Sequence, residues 1–235
     1  MQRYFSDKKN DNKIILNDDD LYHIKTVMRM KENDMVEVIY DKKLHVCKLN
    51  ENFELIVEQI IEEDKELSKE VIVALGLVKE QKMDLILQKL TELGVSKIIP
   101  VNMERSIVKL DNKKEEKKLE RWNKICKEAS EQSKRNSIPV VSNVINFKDL
   151  TKIESDLKLV CSVSEKDNMI YNYIEKNNYN SILFVIGPEG GISPKEEEYL
   201  KNNKFTLVSF GNLVLRVETA CIYIASALNY ILNKK

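Results

Sequence analysis

Three of the six glycines in this 235-residue chain lie in one short segment, IGPEGGISP at 186–194, beside the carboxylate of Glu189. Glycine lets the backbone adopt positive φ and lets a ligand approach the main chain, as many nucleotide-like cofactors require. The segment therefore indicates a ligand-binding loop. A tight turn before a capped helix is the alternative explanation of the same residues.

A second loop, FGNLVLRVETA at 210–220, has one glycine, an apolar triplet and then Arg216 and Glu218 before an apolar helix. An apolar triplet is unusual in an exposed loop. Its side chains would be shielded from water if the loop lay beneath another segment of the chain or over a flat apolar ligand. Arg216 and Glu218 present opposite charges at a helix start. Alternatively, Glu218 simply caps the helix and Arg216 pairs with it.

Strands and helices that alternate from residue 71 onward must position these loops. The apolar run 181–186 predicts a buried strand, while Ser193, Pro194 and Glu196 have the spacing of a capped helix start. Such alternation predicts a parallel sheet with helices on both faces and ligands at the carboxyl ends of its strands. The predicted strands are 71–78, 95–101, 157–163, 181–186 and 205–210. The predicted helices are 79–93 (with Gly94 as C-cap), 113–134, 169–177, 194–202 and 218–232.

The first 70 residues have a different pattern, which predicts a small β-barrel with one helix. Its strands are expected at 14–16, 35–40, 44–49 and 53–57, with a hairpin turn at 41–43, a helix at 18–30 and a charged linker at 62–66. The chain is therefore predicted to contain two domains, 1–70 and 71–235.

Several classes of protein are disfavoured. The glycine spacing fits neither the dinucleotide-binding nor the P-loop motif, and no G-x-S-x-G element occurs. With His23 and His45 as the two histidines, both in the N-terminal part, a Ser-His-Asp hydrolase is disfavoured. The four scattered cysteines lack zinc-ligand spacing, so no metal is expected. No apolar stretch suits a membrane helix or a signal peptide, and we expect a cytoplasmic protein without a membrane partner.

The formal net charge is zero but unevenly distributed, with 16 Lys and Arg against 10 Asp and Glu in residues 71–148. Such an excess makes this region a candidate for binding an anionic partner, although the charge taken alone is better explained by a solvated helix face.

The two loops together, IGPEGGxSxxE and then xGxxxLRxETA, resemble the SPOUT class of RNA methyltransferases. Within that class the chain is similar to the 16S ribosomal RNA (uracil-N3)-methyltransferase family, RsmE, along its whole length. Further matching positions are His23, Val27, Arg29, Asp34, Lys89, Glu92–Val95, Arg105, Ser106, Glu120–Trp122, Glu128, Ala129, Gln132, Ser133 and Arg135.

The resemblance implies a PUA-like N-terminal domain, and a C-terminal parallel-sheet SPOUT domain with a trefoil knot near 181–235. It implies S-adenosylmethionine as cofactor and a homodimer formed through the last helix. The implied cofactor contacts are Gly187, Glu189, Gly190, Gly191, Phe210, Gly211, Asn212, Leu213 and Leu215. The loop after the strand ending near Val163 is a further candidate.

The implied reaction is methylation of N3 of a uridine in 16S ribosomal RNA. Our hypothesis is that Arg216 stabilises the uracil anion, with Glu189 or Glu218 as base or orienting partner. Leu213 stands where an arginine is usual in the family, and Asn33 stands where glycine is usual. Asparagine tolerates the left-handed conformation and would preserve that turn.

The RNA, as 16S ribosomal RNA or the small ribosomal subunit, would contact basic residues of both domains. The candidates are Arg3, His23, Arg29, Arg105, Arg121, Lys134 and Arg135. For each, a solvated surface residue is the alternative, and His23 fits a half-buried position equally well. A SPOUT enzyme with another RNA target and a non-catalytic RNA-binding assembly factor are the competing functions. The presence of Glu189, Arg216 and Glu218 favours an enzyme.

Overall fold

The computed structural model of this chain describes residues 1–110, 112–176 and 178–233. The last residue of the helix predicted at 169–177, and the last two residues of the predicted second domain, lie outside this set. None of the helices within it combines the length and the apolar character that a membrane span requires.

The chain divides into two compact units. The first comprises Met1–Glu66 with Lys127–Ile138, and the second comprises Leu67–Cys126 with Pro139–Lys235. Glu66 lies four residues before the predicted domain boundary. The sequence does not indicate that 127–138, of which 127–134 is predicted to end a long basic helix, packs with the first unit.

The first unit contains a six-stranded mixed sheet in the order β1-β4-β5-β6-β3-β2. The parallel pair β1–β4 holds the N-terminus in the sheet, whereas the other pairs are antiparallel. Asp41 and Lys42 have φ of 49° and 60° and form the predicted hairpin turn, as a two-residue loop of this kind requires. The strands are β1 (Arg3–Phe5), β2 (Lys8–Asn10), β3 (Lys13–Ile15), β4 (Met35–Tyr40), β5 (Lys43–Leu49) and β6 (Leu55–Ile61).

The helix predicted at 18–30 is shorter than expected and consists of an α-helical and a π-helical segment. Asn17 caps α1 (Asp18–Tyr22) by accepting a hydrogen bond from the backbone N–H of Asp20, and a π-helical stretch, His23–Val27, follows. Arg29 has φ of 52° and ends the helical segment. Asn33 has φ of 72°, so it does adopt the conformation for which glycine is usual. The core beneath contains Tyr4, Ile14, Leu16, Ile24, Val36, Val38, Cys47, Leu49, Leu55 and Val57.

The second unit contains the predicted parallel sheet. Its path is β10-β8-β7-β12-β11-β13, with β9 beside β8, and every pair is parallel. The two shortest strands, β9 and β10, were not predicted, because two residues carry no periodic signal. The strands are β7 (Glu70–Gly76), β8 (Lys97–Asn102), β9 (Val140–Val141), β10 (Ile145–Asn146), β11 (Leu157–Cys161), β12 (Ser181–Ile186) and β13 (Thr206–Val208).

Helices cover both faces of this sheet. Leu183 and Val185 of β12 pack with Leu200 of α5 on one face, and the alternating residues of β12 point to the opposite face, where α6 contacts the strand. The helices are α2 (Glu80–Glu92), α3 (Asn112–Gln132), α4 (Tyr171–Ile174), α5 (Pro194–Asn202) and α6 (Val217–Leu232), with a 3₁₀ helix at Phe147–Lys152. The α/β fold class is thus confirmed, whereas the trefoil knot stays a prediction.

Candidate active site

Three neighbouring strands place their following loops at one edge of the parallel sheet. β11 lies between β12 and β13, so the loops after Cys161, Ile186 and Val208 begin side by side. These loops enclose a cavity of about 630 Å³, a size typical of small-molecule sites. Its walls are formed by Lys82, Cys161, Ser162, Val163, Glu165, Lys166, 186–192, Glu197, 208–217 and Ala220.

The glycine turn has two positions where a side chain is excluded. A Cβ on Gly187 would lie 2.8 Å from backbone atoms of Gly191 and Ile192, so the turn could not close. Gly191 has φ of 71°, which L-residues rarely adopt. The tightness of the turn itself therefore accounts for part of this glycine pattern.

Contacts from the helix start and from the loop after β8 hold the glycine turn. Ser193 and Glu196 form the predicted capping box at the start of α5. The Glu196 side chain also accepts a hydrogen bond from the backbone N–H of Glu104 at 2.8 Å. Arg105 donates to the carbonyl of Gly190 at 3.0 Å. The turn is thus preorganised by contacts that do not involve Glu189.

The second loop presents apolar side chains outward. Leu213 and Val214 are 79% and 80% exposed, so within this single chain they are not covered by other residues. Phe210 instead contacts the ring of Tyr223 on α6, at 5.5 Å between centroids. A loop with two such exposed residues beside a cavity is a surface that a ligand or another chain can cover.

The loop that follows β11, which the sequence suggested only weakly, does line the cavity. The Ser162 hydroxyl bonds to Ser164 at 2.8 Å, and the Ser164 hydroxyl donates to Glu197 of α5 at 2.9 Å. Burial raises the pKa of the Cys161 thiol, so this cysteine is held protonated and is a poor nucleophile.

The charged residues of the site are paired in an unexpected way. Lys82 of α2 lies between two carboxylates, with its Nζ 3.6 Å from Glu189 Oε1 and 3.4 Å from Glu218 Oε2. The expected alternative, a pair between Arg216 and Glu218, is not formed. The Arg216 side chain is exposed, lines the cavity and has no ion pair or hydrogen bond within the described residues.

The cavity therefore collects most of the residues selected from the two motifs. All nine proposed cofactor contacts and Arg216 line its wall, and Glu218 joins them through Lys82. Lys82 was missed, because its place at the site depends on packing between α2 and loops far along the chain. No group of three or more His, Cys, Asp or Glu placed to hold a metal ion occurs in the described part of the chain.

A family model described as an RNA methyltransferase domain matches residues 65–229, which is well over half of the chain. The chain belongs to the RNA methyltransferase family. Its relatives include the ribosomal RNA small subunit methyltransferase E of Bacillus subtilis (strain 168). That protein is 37% identical over 226 residues, covering 90% of this chain and 88% of the relative. The corresponding protein of Mesomycoplasma hyopneumoniae (strain 232) is 34% identical over 228 residues, covering 95% and 97%.

Solved structures agree with this membership. A ribosomal RNA small subunit methyltransferase E from Neisseria gonorrhoeae, bound to S-adenosyl methionine, matches with a TM-score of 0.88 at 28% identity over 98% of both chains. A methyltransferase from Legionella pneumophila, in complex with the same cofactor, matches with a TM-score of 0.88 at 26% identity, over 97% of this chain and 96% of that one. The family resemblance seen in the sequence is thereby confirmed.

Two of the basic residues selected as RNA contacts of this methyltransferase are buried, which corrects their assignment as surface cations. Arg3 is 1% exposed, pairs with Glu37 at 2.9 Å and donates to backbone carbonyls of Lys134 and Arg135. Arg135 is 5% exposed and pairs with Glu66. Burying a guanidinium requires partners for its charge, and these carboxylates and carbonyls provide them. Both arginines therefore stabilise the first unit.

The remaining basic residues differ in their availability. In the first unit, Lys134 Nζ lies 3.1 Å from Glu37, and His23 Nδ1 lies 2.9 Å from the Tyr4 hydroxyl. Arg29 is exposed, and its side chain has no partner among the residues that the structure describes. In the second unit, Arg121 pairs with Asp84 at 2.6 Å, and the exposed Arg105 donates to the carbonyls of Gly190 and Ile192. Of the candidates, Arg29 is therefore the best placed to meet a phosphate.

Proposed function

We propose that this chain is an S-adenosylmethionine-dependent methyltransferase that methylates N3 of a uridine in 16S ribosomal RNA of the small subunit. The proposal rests on the cavity at the strand ends. This cavity combines a preorganised glycine turn with the guanidinium of Arg216, which is unpaired among the described residues. The names of the relatives from Bacillus subtilis and Mesomycoplasma hyopneumoniae support the choice of substrate.

The residues of the cavity fit the cofactor. A Cβ built on Gly191 or Gly211 would meet no atom within 4 Å, so the backbone at both positions faces open space that a ligand can occupy. The turn 187–191 and the loop 210–215 would hold the cofactor largely through main-chain groups. When bound, the cofactor supplies a methyl group on a sulfonium, which is ready for in-line displacement.

The protein's own task is to prepare uracil N3. This nitrogen carries a proton and has no free lone pair until the proton leaves, so a carboxylate, Glu189 or Glu218, accepts it. Arg216 stabilises the resulting negative charge on the uracil oxygens. The N3–methyl bond then forms as the sulfur–methyl bond breaks, and the bonding pair goes to sulfur. The base must be unstacked and unpaired to reach the cavity.

The wider organisation belongs to the same proposal. The N-terminal domain, 1–70, binds RNA, and 71–235 forms the knotted methyltransferase domain of a cytoplasmic homodimer. The exposed Leu213 and Val214, with Tyr223 of α6 at 45% exposure, support α6 and its preceding loop as the dimer face.

Mass spectrometry of 16S ribosomal RNA from a deletion strain, before and after incubation with purified protein and S-adenosylmethionine, tests the proposal. The expected result is one uridine that lacks an N3-methyl in the deletion strain and regains it in vitro. Small subunits and protein-free RNA are compared as substrates.

The alternatives give different results. A methyl missing from another RNA or another atom would indicate a related enzyme with a different target. Calorimetry that shows no binding of S-adenosylmethionine, with unaltered RNA modification in the deletion strain, would indicate a non-catalytic assembly factor.

A further inference from the structure

Lys82 occupies an unfavourable position for a cation. It lies in the first turn of α2, which begins at Glu80, and the positive end of a helix dipole disfavours a positive side chain there. Its side chain is only partly exposed, at 33%. Helix stability does not explain the residue, whereas the two carboxylates that it faces do.

Those two carboxylates come from the two loops that the cavity joins. Glu189 belongs to the glycine turn, and Glu218 belongs to the first turn of α6. Glu218 Oε2 is buried and accepts no hydrogen bond within the part of the chain that the structure describes. Among the described residues its charge partner is Lys82, at 3.4 Å, so the lysine compensates a carboxylate that would otherwise be buried without compensation.

The pairing has a consequence for Arg216, two residues before Glu218. A guanidinium so close to a carboxylate would ordinarily pair with it, yet Arg216 has no partner among the described residues. We infer that Lys82 is a positioning residue of the reaction: by holding Glu189 and Glu218, it leaves the Arg216 guanidinium free to face the substrate. This inference rests on the proposed methyl transfer.

The loops themselves do not depend on Lys82. The glycine turn is held by Arg105 and by the capping box of α5. The second loop is fastened by the Ser209 side chain, whose oxygen lies 3.2 Å from the backbone nitrogen of Gly211. Loss of the ammonium should therefore redirect Arg216 without removing the main-chain framework that would hold the cofactor.

The test compares Lys82→Met with Lys82→Arg, and uses Lys89→Met as a matched control. Lys89 lies on the same helix and also pairs with a glutamate, Glu92, but it is not part of the cavity. For Lys82→Met we expect kcat to fall about 100-fold, the effect of displacing a group at the reacting centre. S-adenosylmethionine affinity and Tm should stay close to wild type. Lys82→Arg should recover most of the loss, and Lys89→Met should show none.

A measurement without RNA or cofactor complements the kinetics. Modification of Arg216 by phenylglyoxal, followed by peptide mass spectrometry, should be several-fold slower in Lys82→Met, because Glu218 then captures the guanidinium. Lys82→Arg and Lys89→Met should react at the wild-type rate.

Two results would overturn the inference. One is an unchanged kcat in Lys82→Met. The other is a parallel loss of kcat, cofactor affinity and Tm with unaltered Arg216 reactivity, which would make Lys82 a purely structural residue. If instead the wild-type protein binds no S-adenosylmethionine and methylates no small-subunit RNA, the proposed function itself fails.

Discussion

The glycine turn of the second unit and the basic residues of the first unit were both selected from the sequence as functional candidates. They occupy different kinds of position in the structure. The turn and its partner loop meet at one cavity, with all their proposed cofactor contacts in its wall. Of the three basic residues expected to contact RNA in the N-terminal domain, Arg3 is buried, His23 bonds to Tyr4 and Arg29 is exposed.

The difference arises from how each kind of residue is positioned. A loop that follows a buried strand of a parallel sheet can lie only at the carboxyl edge, so its place follows from local pattern. A single charged side chain points outward or inward according to which carboxylates pack beside it. Arg3 is turned inward by Glu37 and Glu63, which lie far from it in sequence.

Replacement of Arg216 tests the proposed catalytic role of the cavity and has the largest expected effect. Arg216→Ala removes the proposed stabilisation of the uracil anion, so kcat should fall about 10²–10³-fold, equivalent to roughly 3–4 kcal/mol. Steady-state methylation assays measure it, and affinity for RNA should be retained. Lys201→Ala, an exposed cation on α5, is the control. Near-normal turnover by Arg216→Ala would exclude the assigned role.

Replacement of Arg3 tests whether this buried arginine stabilises the first unit. Arg3→Ala leaves Glu37 and Glu63 without their buried partner, and the free energy of unfolding should fall by about 3 kcal/mol. Urea denaturation measures this, while RNA affinity of the folded fraction should not change. If the variant is as stable as wild type and binds RNA more weakly, Arg3 is an RNA contact after all.

Glu131 gives the first unit a pH-dependent stability. Burial raises the pKa of this carboxyl from 4.5 to about 7, and nearby Asp20 adds to the shift. Because the folded state holds the proton more tightly, this contribution is complete below about pH 4.5 and is lost as pH rises through about 7. Glu131→Gln should therefore be more stable than wild type at pH 8, by roughly 2 kcal/mol, and show a smaller gain at pH 5.

Urea denaturation at the two pH values measures the Glu131 effect. The control is Glu116→Gln, an exposed carboxylate on α3 that is not among the charges acting on Glu131. Equal stabilities of Glu131→Gln and wild type across this pH range would contradict the assignment.

Arg29 provides the smallest effect and the sharpest contrast with Arg3. Loss of one phosphate contact in Arg29→Gln should weaken RNA binding several-fold and reduce the slope of log K against log salt by about 1. The free energy of unfolding should stay within about 0.5 kcal/mol of wild type. Filter binding at several salt concentrations measures the slope, and an unchanged slope would remove Arg29 from the RNA surface.

Features that follow from local interactions could be predicted from the amino-acid sequence. The strand 181–186, the capped helix 194–202 and the hairpin turn near Asp41 agree with the structure, because alternation, capping and turn preferences act over a few residues. The motif pair also predicted the family, since two short patterns in fixed order are rarely shared by chance.

Features that depend on partners far apart in the sequence could be seen only in the folded chain. The three-residue β1 forms because β4 lies beside it, and 127–138 packs with the first unit, which no local pattern marks. Lys82 is brought between Glu189 and Glu218 from more than 100 residues away. Charge pairing of this kind depends on the distance between atoms and not on spacing along the chain, so a sequence pattern can identify the carboxylates but not the cation that holds them.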